Sequence, residues 1–432
     1  MHELQTASPF TIGGPVAPTQ FLGRKDELNR AFDVVVQAGH LAVYGGAGIG
    51  KSSLLRVLAH AKAWEARGLP TNRRSLVLMD AAAVRPFTGT AFWREALTRL
   101  HDARPGDTAV ISAVNRELEK DTLGRMEVRN VIRTLHDRNW DWVLLVDDFD
   151  HATHTHATYD DAAALEFLYG LRSLATDVGL EARFATAVAT AARLDELRPP
   201  AAHLSPWYNH TVNLRLRPYS FQDAQILTAL LPLGGGPTPT AWTDVLELTG
   251  RHPALLQRTC DLLARTLARP GPFDRIAFQR ELLGALESLL IRLWGATSEV
   301  ERMLLMLIAL EGLGGRLAGR RRYDLGDIEA VFSRHDRDLW ELENQGLIER
   351  VAGPGRQQYR FASSILEWWV IQEIESLPDE AALASREQVF AQRISRRQVQ
   401  KIHDVLLQVW KNKDTIRAAG EWLGKLLSGF QP

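Results

Sequence analysis

A chain of 432 residues, 45% hydrophobic and 24% charged, has room for roughly two to four domains that bury ordinary cores without staples. A net charge of -1 gives no global attraction to nucleic acid or anionic membrane. One cysteine, Cys260, excludes an internal disulfide and fits a reducing cytoplasm; no basic, apolar start marks a signal peptide, and no run of about 18 apolar residues marks a membrane span.

Residues 1–20 read as an N-terminal arm that ends in the turn-rich stretch Pro15 to Thr19. From residue 21 to about 218, short apolar runs alternate with amphipathic helical stretches. Leu41 to Tyr44, Ser75 to Met79, Trp142 to Val146, Arg183 to Ala189 and Thr211 to Leu216 are predicted strands. Ser52 to Ala63 and Tyr159 to Ala175 are predicted helices. This alternation predicts an α/β fold, a parallel sheet flanked by helices. The period becomes helical over 219–296, a predicted lid domain. Over 297–372 it gives three helices and then a hairpin around Gly353, Pro354 and Gly355, the winged-helix order. Residues 373–432 read as amphipathic helix, with Trp410 and Trp422 among the apolar positions.

The first chemical motif lies in LAVYGGAGIGKSSLL, residues 41–55. Gly45, Gly46, Ala47, Gly48, Ile49, Gly50, Lys51 and Ser52 match G-x-x-x-x-G-K-S/T between a strand and a helix, a highly specific phosphate-binding P-loop. Glycines let successive N–H groups turn toward phosphate oxygens, and the helix start adds its positive dipole end. Lys51 reaches the outer phosphates, the Ser52 hydroxyl coordinates Mg2+, and Ser53 completes the nucleotide-binding set.

The second motif is WVLLVDDFD, residues 142–150, an apolar strand ending in carboxylates. Downstream of a complete P-loop, Asp147 reads as the magnesium ligand and Asp148 as the group that orients or deprotonates the attacking water. Aspartate at the second position reaches less far than glutamate, so slow hydrolysis is expected. Thr190 closes the fourth predicted strand, with Arg193 just beyond. It is either a contact to the terminal phosphate or attacking water, or simply a polar strand end.

With these motifs in place, the chain resembles STAND ATPases and archaeal ATPases related to origin-recognition (AAA+-like) initiators. PVAPTQFLGRKDEL, residues 15–28, is similar to their F-x-G-R-x-x-E-L box. LRPYS at 216–220 resembles the element that opens their lid, TGRHP at 249–253 their lid G-x-P motif, and YRFASSILEWWV at 359–370 the end of their winged helix. The resemblance implies that Phe21, Leu22 and Gly23 lie near the adenine, with Arg24 supporting that loop. It also implies that Pro253 packs on the base and His252 lies close to the phosphates. The long superhelical sensor of STAND proteins is missing, and Arg198 is only a candidate arginine finger. The implied function is an ATP/ADP switch with Mg2+ that acts on an unknown protein partner, with a nucleotide-dependent homo-oligomer as a further expectation.

An ATP-dependent DNA-binding ATPase of the initiator or transposition-regulator type is the alternative. The basic run Arg316, Arg320, Arg321 and Arg322 favours it; Asp336, Asp338, Glu341 and Glu343 on the third predicted helix (336–345) oppose it. On that helix Trp340 and Leu342 are expected to pack inward. His151, His154 and His156 have a spacing that could hold zinc, but a polar loop is the simpler reading. Arg393, Arg396, Arg397, Lys401, Lys411 and Lys413 make the C-terminal region locally basic, with a solvated helix face as the simplest account.

Overall fold

The computed structural model describes residues 8–103, 107–177, 183–197, 207–231, 239–316, 325–353, 356–375, 400–402, 404–405 and 407. Arg198, Arg320, Arg321, Arg322, Arg393, Arg396, Arg397, Trp410, Lys411, Lys413 and Trp422 lie outside the described residues. The chain separates into two compact units, Gly14–Gly45 with Gly50–Leu216, and Met1–Gly13 with Gly46–Ile49 and Arg217–Pro432.

The first unit runs α1 (Lys25–Val36), β1 (His40–Tyr44), α2 (Lys51–Leu58), α3 (Ala61–Glu65), β2 (Arg74–Asp80), α4 (Gly89–Asp102), α5 (Thr108–Leu118), α6 (Arg125–Asp137), β3 (Asp141–Asp147), α7 (Asp161–Ala175), β4 (Phe184–Thr190), α8 (Leu194–Leu197) and β5 (Thr211–Arg215). The five strands form one sheet in the order β2-β3-β4-β1-β5, with every pairing parallel. Burial follows position. Central β4 is buried at every residue, which its small FATAVAT sequence permits, whereas edge strand β2 alternates. All five predicted strands are present, with ends moved by one residue or less.

The helix predicted from Ser52 to Ala63 is instead broken. α2 ends at Leu58, His60 is extended, and α3 follows. The indole of fully buried Trp64 donates to the Leu58 carbonyl at 2.7 Å, which satisfies a chain end the apolar period does not reveal. Trp64 also packs edge-on against Phe32 of α1, 5.1 Å between ring centres.

The second unit runs α9 (Phe221–Thr228), α10 (Pro239–Thr249), α11 (Pro253–Leu267), α12 (Arg275–Gly295), α13 (Glu299–Arg316), α14 (Ile328–Arg334), α15 (Asp336–Asn344), β6 (Ile348–Gly353), β7 (Arg356–Phe361) and α16 (Ser364–Glu375). α13 starts with a reciprocal cap. Ser298 N donates to Glu301 Oε2 at 2.7 Å, and Glu301 N donates to Ser298 Oγ at 3.2 Å. From Met303 to Leu310 every residue of α13 is buried, so this helix forms the centre of the unit. β6 and β7 pair antiparallel after three helices, the winged-helix order. On α15, Leu342 is buried as expected, but Trp340 is 45% exposed. Leu339 and Leu342 already fill the inward stripe of this short helix, and Trp340 projects from the opposite side.

Candidate phosphate-binding site

The loop between β1 and α2 carries the P-loop sequence. Gly50, at φ 107°, caps α2 in a left-handed conformation that a side chain would strain. Lys51 and Ser52 are the first two residues of that helix. The Lys51 ammonium donates to the Gly45 carbonyl at 2.7 Å, folded back over its own loop. Burial pulls its pKa below the ordinary lysine value, while Asp150, Asp147 and Asp148 act in the opposite sense. The Ser52 hydroxyl has no partner among the described residues. Ser53 does: its hydroxyl is buried and accepts from Val16 N at 3.0 Å, which ties the segment before the F-x-G-R box to α2.

In that box Phe21, Leu22 and Gly23 are half-buried. Gly23 and Arg24 both take left-handed conformations, at φ 71° and 55°. Arg24 is 1% exposed, bonds Glu27 at 3.0 Å, and lies close to Gly50, where its Nε would meet an added Cβ at 3.8 Å. A buried guanidinium with a carboxylate partner fixes the chain entering α1 beside the helix-starting glycine.

Strand β4 pairs with both the P-loop strand and the acidic strand. Tyr44 is level with Thr190, and Val146 with Val188. The three chain ends that carry Gly45, Thr190 and Asp147 therefore leave the sheet side by side. Asp147 ends β3, and one of its oxygens accepts from Asp148 N at 3.2 Å. Asp148 takes a left-handed conformation at φ 47° and reaches solvent. Partial burial first, then the Asp147, Asp80 and Asp150 charges, raise its pKa above the usual carboxylate value; Lys51 opposes them. The Thr190 side chain is fully buried and donates to the Ala192 carbonyl at 2.7 Å, so its one proton is committed to the backbone.

Two carboxylates had no role in the sequence reading. Asp150 accepts from Ala191 N with both oxygens, at 3.0 and 3.2 Å, and so ties the acidic motif to the tip of β4. Asp80 ends β2 level with Asp147 and caps Ala82 N at 2.8 Å. The strand-end position of Asp80, directly after an apolar run, was the available signal. The histidine cluster does not converge. His154 Nδ1 donates to Asp150 O at 2.6 Å, and His156 Nε2 to Phe87 O at 3.0 Å. Among the described residues no group of three or more His, Cys, Asp or Glu side chains could hold a metal ion.

In the second unit, TGRHP forms a helix-to-helix corner. α10 ends at Thr249, Gly250 and Arg251 take left-handed conformations, His252 is the N-cap of α11, and Pro253 is its first residue. A Cβ on Gly250 would lie 2.6 Å from Ala362 O, so only glycine fits. His252 is 3% exposed and spends both ring nitrogens on backbone. Leu255 N donates to Nδ1 at 3.4 Å, and Nε2 donates to Ala47 O at 3.1 Å, within the same unit.

Residues 20–180 match the family described as the AAA ATPase domain. No curated protein sequence matches the chain. Among solved structures, the Walker-type ATPase PABY2304 of Pyrococcus abyssi is similar, at 14% identity and TM-score 0.50, over 84% of this chain and 99% of that one. The ORC2 protein of Aeropyrum pernix, solved as ADPNP-ADP complexes, aligns at 15% identity and TM-score 0.46, over 92% of this chain and 96% of that one. DnaA from Aquifex aeolicus, bound to AMPPCP, aligns at 12% identity and TM-score 0.37, over 96% and 98%. Residues 20–180 are therefore similar to the AAA ATPase domain, and the parallel sheet β1–β5 with its flanking helices has the fold of a P-loop NTPase.

Proposed function

We propose that this chain binds ATP, hydrolyses it slowly, and uses the nucleotide as a STAND-like switch that controls association with a partner protein. The observation that carries the reading is the side-by-side exit of three strands, with the P-loop after β1, Thr190 at the end of β4 and Asp147–Asp148 at the end of β3. Phosphoryl transfer needs a cradle for phosphate, a magnesium ligand and a group that handles water; the end of β1 supplies the first and the end of β3 the other two, with β4 between them.

Lys51 leaves Gly45 O for the outer phosphates when nucleotide arrives; its partial desolvation strengthens that exchange. Ser52 and the second oxygen of Asp147 are hard oxygen donors suited to Mg2+. Bound there, the ion offsets charge on the outer phosphates. Asp148 orients the attacking water and accepts its proton, a task helped by its raised pKa. Phe21, Leu22 and Gly23 are assigned to the base, and the domains 21–218, 219–296 and 297–372 to the moving parts. Thr190 holds the tip of β4 through Ala192 rather than donating to phosphate.

The test separates the two carboxylates. Asp148→Asn is expected to keep ATP and lose phosphate release; Asp147→Asn is expected also to weaken magnesium-dependent binding. Unchanged phosphate release by Asp148→Asn overturns the assignment. The second reading, an ATP-dependent DNA-binding ATPase, draws on the helix and hairpin order of 299–361. Tight duplex binding at physiological salt would favour it.

A further inference from the structure

We infer that His252 is a positioning residue for phosphate: it sets the Ala47–Gly48 peptide plane, and through it the direction of the Gly48 N–H. This rests on the reading of the loop as a nucleotide site. The two hydrogen bonds of His252 require one tautomer. Nδ1 accepts from Leu255 N, so it carries no proton, and Nε2–H must donate to Ala47 O. A trans peptide holds its carbonyl and the following N–H in opposite directions in one plane. Pulling Ala47 O toward the start of α11 therefore turns Gly48 N–H away from that helix.

The surroundings leave the plane little freedom. Gly48 stands at φ 72°, and a Cβ built on it would lie 2.8 Å from Ala254 Cβ, 3.2 Å from His252 Cε1 and 3.2 Å from Leu289 Cδ1. α11 and α12 thus close the Cβ side of residue 48, and the bond from His252 to Ala47 O keeps the Gly48 N–H pointed away from α11. Ile49 N also donates back to Gly46 O at 3.4 Å, which closes the turn around the plane. A loop N–H fixed before phosphate arrives costs no reorganisation when it binds.

The test uses His252→Asn in the full chain. Asparagine is a strong N-cap and keeps a bond to Leu255 N, but it is too short to reach Ala47 O. The expected result is a folded variant with a modestly lowered melting temperature without nucleotide, ADP and ATP bound about five- to tenfold more weakly, and AMP, which lacks the outer phosphates, bound as by the parent. Parent-like ADP affinity in the variant overturns the inference. So does an equal loss for AMP, which would mark a general packing defect. If the variant does not fold, 15N NMR of the parent's histidines decides: the Nε2–H tautomer at His252 supports the inference and the Nδ1–H tautomer overturns it. A parent that binds no ADP, yet shows the Nε2–H tautomer, would overturn the proposed function instead.

Discussion

At the scale of single residues, Asp150 ties the acidic motif to the tip of β4 through Ala191 N, a contact between residues 41 positions apart that leaves no local signal in the sequence. Asp150→Ala removes the acceptor for that N–H and frees the tip of β4. It is expected to lower the rate of phosphate release more than ATP affinity, read from kcat and from nucleotide titration separately. Equal losses in both would contradict the assignment.

His40 was silent in the sequence for the same reason. It is 5% exposed at the start of β1, with Nδ1 2.8 Å from Thr186 Oγ1 and with Phe184 and Trp207 beside it. Burial, aided by His210, lowers its pKa from 6.5 to about 4. The unfolded chain therefore takes up a proton at a higher pH than the folded one, and stability rises with pH. The contribution is full above about pH 6.5 and is lost as pH falls from there toward about 4, with a ceiling of about 3 kcal/mol. Urea midpoints over this window should fall more steeply for the parent than for His40→Gln; identical slopes would contradict a buried neutral imidazole.

Among elements, the strands were easy to read because each is an apolar run with turn residues around it. What escaped was set by contacts that leave no local pattern. The α2–α3 break depends on the bond from Trp64 to the Leu58 carbonyl, and the apolar period runs through it unaltered. Trp340 is the opposite case: the pattern predicts an inward aromatic residue, but Leu339 and Leu342 already fill the face of α15 that packs. The corner at 249–253 was legible as the motif TGRHP, and its Gly250 is left-handed and packed against Ala362. Gly250→Ala adds left-handed strain of about 1–2 kcal/mol, plus a contact at 2.6 Å with Ala362 O. A loss of at least about 2 kcal/mol in the stability of the second unit is expected from denaturant unfolding. A change under about 0.5 kcal/mol would contradict the packing of that corner.

For the whole molecule, charge argues against DNA as the main ligand. The exposed side of α15 carries Asp336, 63% exposed, and Glu343, each nearly 4 Å from Arg350. Carboxylates on this helix repel phosphates, and the net charge of -1 adds no attraction. Duplex binding is therefore expected to be weak and lost by physiological salt. Among the described residues no helix is long and apolar enough to cross a membrane. The central claim is that the loop at 45–52 holds ATP through Lys51, and calorimetric titration of ATP with Mg2+ into the parent and Lys51→Ala tests it most directly. The account predicts saturable binding of one ATP per chain by the parent. It predicts at least about a tenfold loss in the variant, the scale of one charged contact to phosphate. Equal affinity in the two proteins, or no binding by the parent, would contradict it.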